Sequence, residues 1–234
     1  MSITSDANTG AARSKTIHVT AGNITRNIVV SQDAGTPQPE FHTYIKFDGT
    51  AYIDTSIVPP ANFSIAVPCS NETQKKAQHI FACGSPDYFS VAISSSNSTN
   101  RTVRLFYGKS SYVAQRNLQW SYKSYGLFVT PSRWGWGDST QTFTKGSATP
   151  SQGIRFGTSR DHSGNPFTGR TGIIRIYDSN VTNATTYSNL LNNNTPLYTL
   201  RPCIYNGEAG LWCVETSSFY GNSASSGTLE VRDS

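Results

Sequence analysis

Charge is scarce in this chain. Only 14% of its 234 residues are Asp, Glu, Lys or Arg, and 36% are hydrophobic, both low for a globular protein. Ser, Thr, Asn and Gly fill the deficit. A 12% aromatic share argues against disorder, because disordered chains are highly charged and poor in aromatics. No apolar run approaches the 18 residues of a membrane-crossing helix, so no membrane insertion is expected. The opening MSITSDANTGAARSKTIHVT has no apolar leader core, which implies function without Sec-type export or a leader removed. The net charge of +5 is spread along the chain, with no block of five or six basic residues. Nucleic-acid binding needs such clustering, because affinity grows with the number of phosphates neutralised together. An anionic protein surface or a glycan suits so mild an excess better.

Catalytic constellations are also missing. Glycoside hydrolysis needs two carboxylates about 5–5.5 Å or 6.5–9.5 Å apart. One strand supplies them by carboxylates two residues apart, and none of the 14 acidic residues are so spaced. Asp48 and Asp54, and Glu208 and Glu215, read as turn caps and strand ends. The four histidines (His18, His42, His79, His162) are dispersed, and no G-x-S-x-G elbow occurs. His79 and Cys83, four apart on one strand, would share a face at about 13 Å, too far for a nucleophile–base pair. A non-catalytic protein is expected.

Cys69, Cys83, Cys203 and Cys213 are too few for a disulfide scaffold and lack zinc-ligand spacing. They read as buried thiols, with a Cys203–Cys213 bridge across a hairpin as the alternative.

What the chain does have is a succession of short alternating runs. KTIHVTA and TRNIVVSQ flank Gly22–Asn23 as a hairpin, and GTPQPE reads as a linker ending near Glu40. From HTYIKFDG to GTLEV about a dozen further strands follow, which predicts an all-β sandwich or barrel. SNVTNATTYSNLLNNNTPLY, rich in Asn and Thr, predicts a long loop with one turn of helix. In YNGEAG, Asn206–Gly207 predicts a tight hairpin. GLWCVE places Leu211, Cys213 and Glu215 on one face, with Trp212 and Val214 on the other. The Phe219–Tyr220 pair is expected to pack under the turn that follows, before GTLEV closes the sheet.

The candidate binding element is PSRWGWGDST. Trp134 and Trp136 share a face, flanked by Arg133 and Asp138. Exposed, they form a platform for a sugar ring, with Arg133 available to an acidic group. Buried, they fill the sandwich core or a subunit contact, with the glycines allowing close backbone approach.

Three stretches in order resemble the concanavalin A-like, or laminin-G-like, jelly-roll family found in gut Bacteroidetes and their phages. They are YIKFDGTAYIDTSIVPPANFSIAV, FTGRTGIIRIYDS and RPCIYNGEAGLWCVETSSFYGNSASSGTL. The resemblance covers residues 41–234 and implies an all-β concanavalin A-like jelly-roll sandwich. It departs from the family where Cys213 stands in place of a common Asp, and where two tryptophans occupy a hairpin that usually contains a small turn. The family often holds Ca²⁺ on the sandwich rim; Asp161 and Asn165 are the residues that resemblance offers here, short of a full oxygen cage.

Residues 1–36, with ANTGAARSKTIHVTAGNITRNIVVSQDAG, resemble the final two strands of BACON domains, which are immunoglobulin-like sandwiches. Two strands alone are marginal in water. The arm therefore derives from a longer parent, or completes a sheet of the main domain or of a neighbouring chain, which would make it an anchor. Residues 37–40 form the linker. Together the resemblances imply a non-catalytic virion protein, decorating a capsid or forming a fibre. It would be homo-oligomeric, joined to other virion proteins through its arm, and would display the jelly roll on the particle surface with host or mucosal glycans as ligands. The alternative is a lectin-like module of the bacterial cell surface or periplasm.

Overall fold

A computed structural model describes residues 10–35, 37–71, 78–84, 88–96, 100–119, 125–137, 139–159, 166–181 and 184–233. The chain divides into two compact units, Met1–Glu40 and Phe41–Ser234.

The first unit is a hairpin of β1 (Arg13–Ala21) and β2 (Ile24–Gln32). They pair antiparallel from Arg13↔Gln32 to Ala21↔Ile24. Gly22 turns the chain with φ 60°, a conformation glycine adopts without Cβ strain. Cross-strand polar pairs reinforce the ladder: His18 Nδ1 lies 2.6 Å from Asn27 Oδ1, and Arg13 Nε donates to Gln32 Oε1 at 2.8 Å.

The second unit is a sandwich of antiparallel sheets. Its strands begin with β3 (Glu40–Phe41, at the junction), β4 (Tyr44–Asp48), β5 (Ile53–Asp54), β6 (Ser64–Asn71) and β7 (Gln78–Cys83). There follow β8 (Phe89–Ser96), β9 (Asn100–Tyr107), β10 (Ala114–Gln119), β11 (Tyr125–Val129), β12 (Arg133–Trp136) and β13 (Ser139–Thr142). The last are β14 (Arg155–Phe156), β15 (Thr168–Thr171), β16 (Ile174–Tyr177), β17 (Tyr198–Tyr205), β18 (Glu208–Cys213), β19 (Ser218–Tyr220) and β20 (Leu229–Arg232). The smaller sheet runs β10-β9-β8-β7-β14-β5. The larger runs β13-β12-β11-β6-β16-β17-β18-β19, with β15 pairing β4 and β6, and β20 pairing β4.

Alternation explains this layering. Ile45 and Phe47 of β4, Ile65 and Val67 of β6, and Ile174 and Ile176 of β16 all enter the core between the sheets. Each such side chain stabilises by roughly 1.5–3 kcal/mol on burial. The intervening residues point to the outer face, as period-2 geometry requires. An all-β jelly-roll sandwich with a short N-terminal hairpin is the observed architecture.

A smaller apolar cluster lies on the outer face of the larger sheet: Ala66, Phe128, Tyr177, Ala184 and Leu190. It seats the helix α1 (Tyr187–Asn193). Thr186 caps the helix, its Oγ1 accepting from Asn189 N at 3.0 Å, and Asn194 Nδ2 donates to Leu190 O at 3.1 Å at the other end. A polar sequence with one buried leucine thus forms a short helix because both ends are satisfied.

The closing strands follow the sequence reading in most respects. Asn206 and Gly207, at φ 52° and 81°, form the β17–β18 turn. Leu211 and Cys213 are buried in the core, while Trp212 faces outward. Pro202 lies beyond the ladder with β16, which reaches only Leu200, and its carbonyl accepts from His42 N at 2.9 Å. Phe219 and Tyr220 point to opposite faces of the sheet. Phe219 joins Tyr205 on the outer face (centroids 5.4 Å apart), whereas Tyr220 packs against the core; adjacent strand residues must diverge. All four cysteines are buried and unbridged, including Cys203 and Cys213. Burial pushes the Cys69 thiol up to about 12 and that of Cys203 to about 11.

The β7–β8 register slips between His79 and Phe81. His79 pairs with Ala92, while Cys83 pairs with Phe89 and enters the core. The bulge puts the two side chains on opposite faces, not on one.

Candidate functional site

Trp134 and Trp136 are 0% and 7% exposed. They meet edge to face at 5.2 Å inside the main core. No face of either indole is open to a sugar, so the platform expected at Arg133–Asp138 is set aside for the packing role. Strand β12 pairs on both sides, with β11 and β13, and the core side of the sheet takes the bulky residues. Arg133 is half-buried on β12. Asp138, and the calcium candidates Asp161 and Asn165, lie outside the described residues.

The carboxylates singled out from the sequence perform structural tasks. Asp48 Oδ1 accepts from Thr50 N (2.8 Å), Thr50 Oγ1 (2.7 Å) and Ala51 N (2.9 Å), and Oδ2 accepts from Thr228 N at 2.5 Å. Partial burial pushes its pKa upward, but these four donors outweigh that and hold it at about 2. Asp54 pairs with the buried Arg155, whose guanidinium lies 4.9 Å over the Tyr52 ring. Glu215 accepts from Thr199 N at 2.6 Å, and Glu208 from Asn222 N at 3.2 Å.

The outer face of the larger sheet carries a different arrangement. A groove of about 440 Å³ is lined by Thr43 and Tyr44, Pro68 and Ser70 of β6, Arg170–Gly172, Ile173, Arg175 of β16 and Tyr187 of α1. Its floor is fixed by the backbone: Gly172 N and Thr171 Oγ1 both donate to Pro68 O, at 2.9 and 3.0 Å. Lys46, Arg170 and Ser70 form one cross-strand row on β4, β15 and β6. From that row the Arg170 guanidinium reaches over the Tyr44 ring at 4.6 Å. The contact orients the guanidinium by cation–π attraction.

Tyr187 forms the opposite wall. Its ring lies against β11 at Gly126, where any Cβ would come within 2.5 Å of it, and its backbone N donates to Gly137 O at 3.1 Å. Burial raises the phenol pKa; Arg175 pulls it down and Cys69 adds to the rise. The hydroxyl therefore stays protonated at neutral pH, a donor as well as an acceptor. Among the described residues no carboxylate pairs with Arg175. Two phenol rings, two guanidiniums and the hydroxyls of Thr43 and Ser70 thus converge on one open depression. None of its residues was singled out from the sequence, because β4, β6, β15, β16 and α1 meet there only in the fold. The available signal was weak: Arg170 and Arg175 each sit between core-facing residues on their strands.

No protein-family profile matches the chain, and no curated protein matches it. Among solved structures it is similar to one from Bacteroides ovatus described as a "putative carbohydrate binding protein". The TM-score is 0.50 at 13% identity, over 96% of this chain and 70% of that one. At that identity the likeness concerns the fold, and the class it supports is the all-β jelly-roll sandwich.

Proposed function

We propose that the chain is a carbohydrate-binding module and that the Tyr44–Arg170–Arg175–Tyr187 groove holds the glycan. The observation that carries this reading is the groove itself. Sugar recognition uses an aromatic wall for the C–H face of a pyranose and planar, multidentate donors for its oxygens. Tyr187 supplies the first, Arg170 and Arg175 the second, with phenol and threonine hydroxyls around them. The described function of the Bacteroides ovatus neighbour supports the same reading. Binding without bond cleavage fits the site, since its lining has no carboxylate to act as acid or base. The test is a glycan array with the intact chain, followed by calorimetry of the best ligand against Tyr187→Ala. The reading predicts a loss of about tenfold or more in affinity with the fold retained. Unchanged affinity in the variant, or no captured glycan, would overturn it.

A second reading concerns where the module is displayed. Ile24 and Val29 of the hairpin are 62% and 65% exposed, and a two-stranded hairpin is marginal in water. That supports an arm that gains cover by joining another sheet, as an anchor on a phage particle would. The concanavalin A-like and BACON-like resemblances belong to this proposal. Quantitative mass spectrometry of purified particles tests it: a fixed ratio to the major capsid protein supports it. Absence from particles, with recovery in the cell envelope, leaves the surface-lectin alternative instead.

A further inference from the structure

We infer that the groove selects anionic glycans, sugars bearing a uronate carboxylate or a sulfate ester, over neutral ones; this rests on the carbohydrate-binding reading above. The charge census around the groove is asymmetric. Its lining holds two guanidiniums, Arg170 and Arg175, and no carboxylate. Lys46 extends the Arg170 row by one strand, and Arg232 pairs in register with Tyr44. The nearby carboxylates are already engaged. Glu230 is held by Arg232 at 3.3 Å and faces Lys46 across the ladder. Asp233 accepts from Thr43 N at 3.1 Å and lies 3.2 Å from His42 Nδ1.

Arg175 decides the matter. It projects from β16 between the core residues Ile174 and Ile176, so its outward direction is fixed by the strand. Among the described residues no carboxylate pairs with it, while the neighbouring Tyr187 and Tyr177 stay neutral. A half-buried guanidinium beside neutral phenols, with no carboxylate paired to it among the described residues, recovers the most from an anionic oxygen pair that accepts its planar fork. A neutral sugar offers single hydroxyl acceptors and leaves that charge without a counter-ion. Carboxylate and sulfate present the same acceptor geometry, so either source fits.

The experiment is calorimetry of the intact chain with three oligosaccharides of equal length: a galacturonate trimer, a sulfated galactose trimer and a neutral galactose trimer. At 50 mM NaCl one or both acidic trimers should bind at least about tenfold more tightly than the neutral one. The ratio should shrink at 500 mM as screening grows. Arg175→Gln should collapse the ratio, and Arg133→Gln, outside the groove, should leave it unchanged. Equal or tighter binding of the neutral trimer, still abolished by Tyr187→Ala, would overturn the anionic preference while leaving the carbohydrate reading standing. Binding of none of the three, with a neutral glycan captured on the array, would also overturn the preference; an empty array would overturn both. An acidic preference that survives both Arg175→Gln and Arg170→Gln would place the selecting charge elsewhere and overturn the inference.

Discussion

The ring of Tyr187 lies so close to Gly126 that a single methyl group at Gly126 would come within 2.5 Å of it. The glycine on β11 is therefore a condition for the position of α1 and for the groove wall. Gly126→Ala must displace the ring or the strand, because a Cβ there overlaps the Tyr187 ring and close packing leaves no free space to absorb it. The variant should lower the melting temperature by several degrees and weaken glycan binding. Tyr187→Phe, which keeps the ring and loses only the hydroxyl, should bind more strongly than Gly126→Ala. Thermal melts and calorimetry on both variants check this order.

Asp48 ties the first turn of the sandwich to its last strand, 180 residues on, through Thr228 N. Its pKa is held below the ordinary carboxylate value of about 3.9, at about 2. A depressed carboxylate contributes stability that is present above pH about 4 and is lost as pH falls through about 2. Asp48→Asn should destabilise at pH 7 by about 1 kcal/mol, allowing for solvent screening at this exposed turn. The gap from the unsubstituted chain should close by pH 2. Urea unfolding at pH 7, 4 and 2 measures it; a gap independent of pH would contradict the assignment.

Two buried tyrosines should respond in opposite ways. Tyr107 Oη donates to Phe63 O at 2.6 Å deep in the core, so Tyr107→Phe leaves a buried carbonyl short of its donor and should cost about 1–3 kcal/mol. Tyr177 Oη is buried with no hydrogen-bond partner among the described residues. Tyr177→Phe should be neutral or slightly stabilising. Chemical denaturation of the pair is the check.

Trp134→Ala should destabilise by about 3–5 kcal/mol, the range for deleting a large aromatic side chain from a packed core. Under conditions where the variant remains folded, its glycan affinity should stay within about twofold. A selective loss of binding with normal stability would return the function to the Trp134–Trp136 element.

The layered fold was legible because its signals are local. Alternation identified the strands, and Asn206–Gly207 marked the turn between β17 and β18. Local pattern could say that Trp134 and Trp136 share a face, but not which face; that depends on how the larger sheet packs against its partner. The slip between His79 and Phe81 was invisible for a related reason, since a bulge is set by the register of two strands together. The groove was least legible of all. Tyr44, Arg170, Arg175 and Tyr187 carry no shared spacing; β15 pairing with β4 and β6, β16 pairing with β6, and the seating of α1 bring them to one surface. Each looks, in sequence, like an ordinary polar residue on the outward side of a strand or at a helix start.

The most direct test of the central claim is amide NMR of the labelled chain, titrated with the tightest-binding oligosaccharide from the array. The account predicts that the largest shift changes fall on Tyr44, Ser70, Arg170, Gly172, Arg175 and Tyr187, with β12 and the β17–β18 turn unmoved. Changes centred instead on Tyr205, Trp212 and Phe219, the other aromatic surface of the larger sheet, would contradict it.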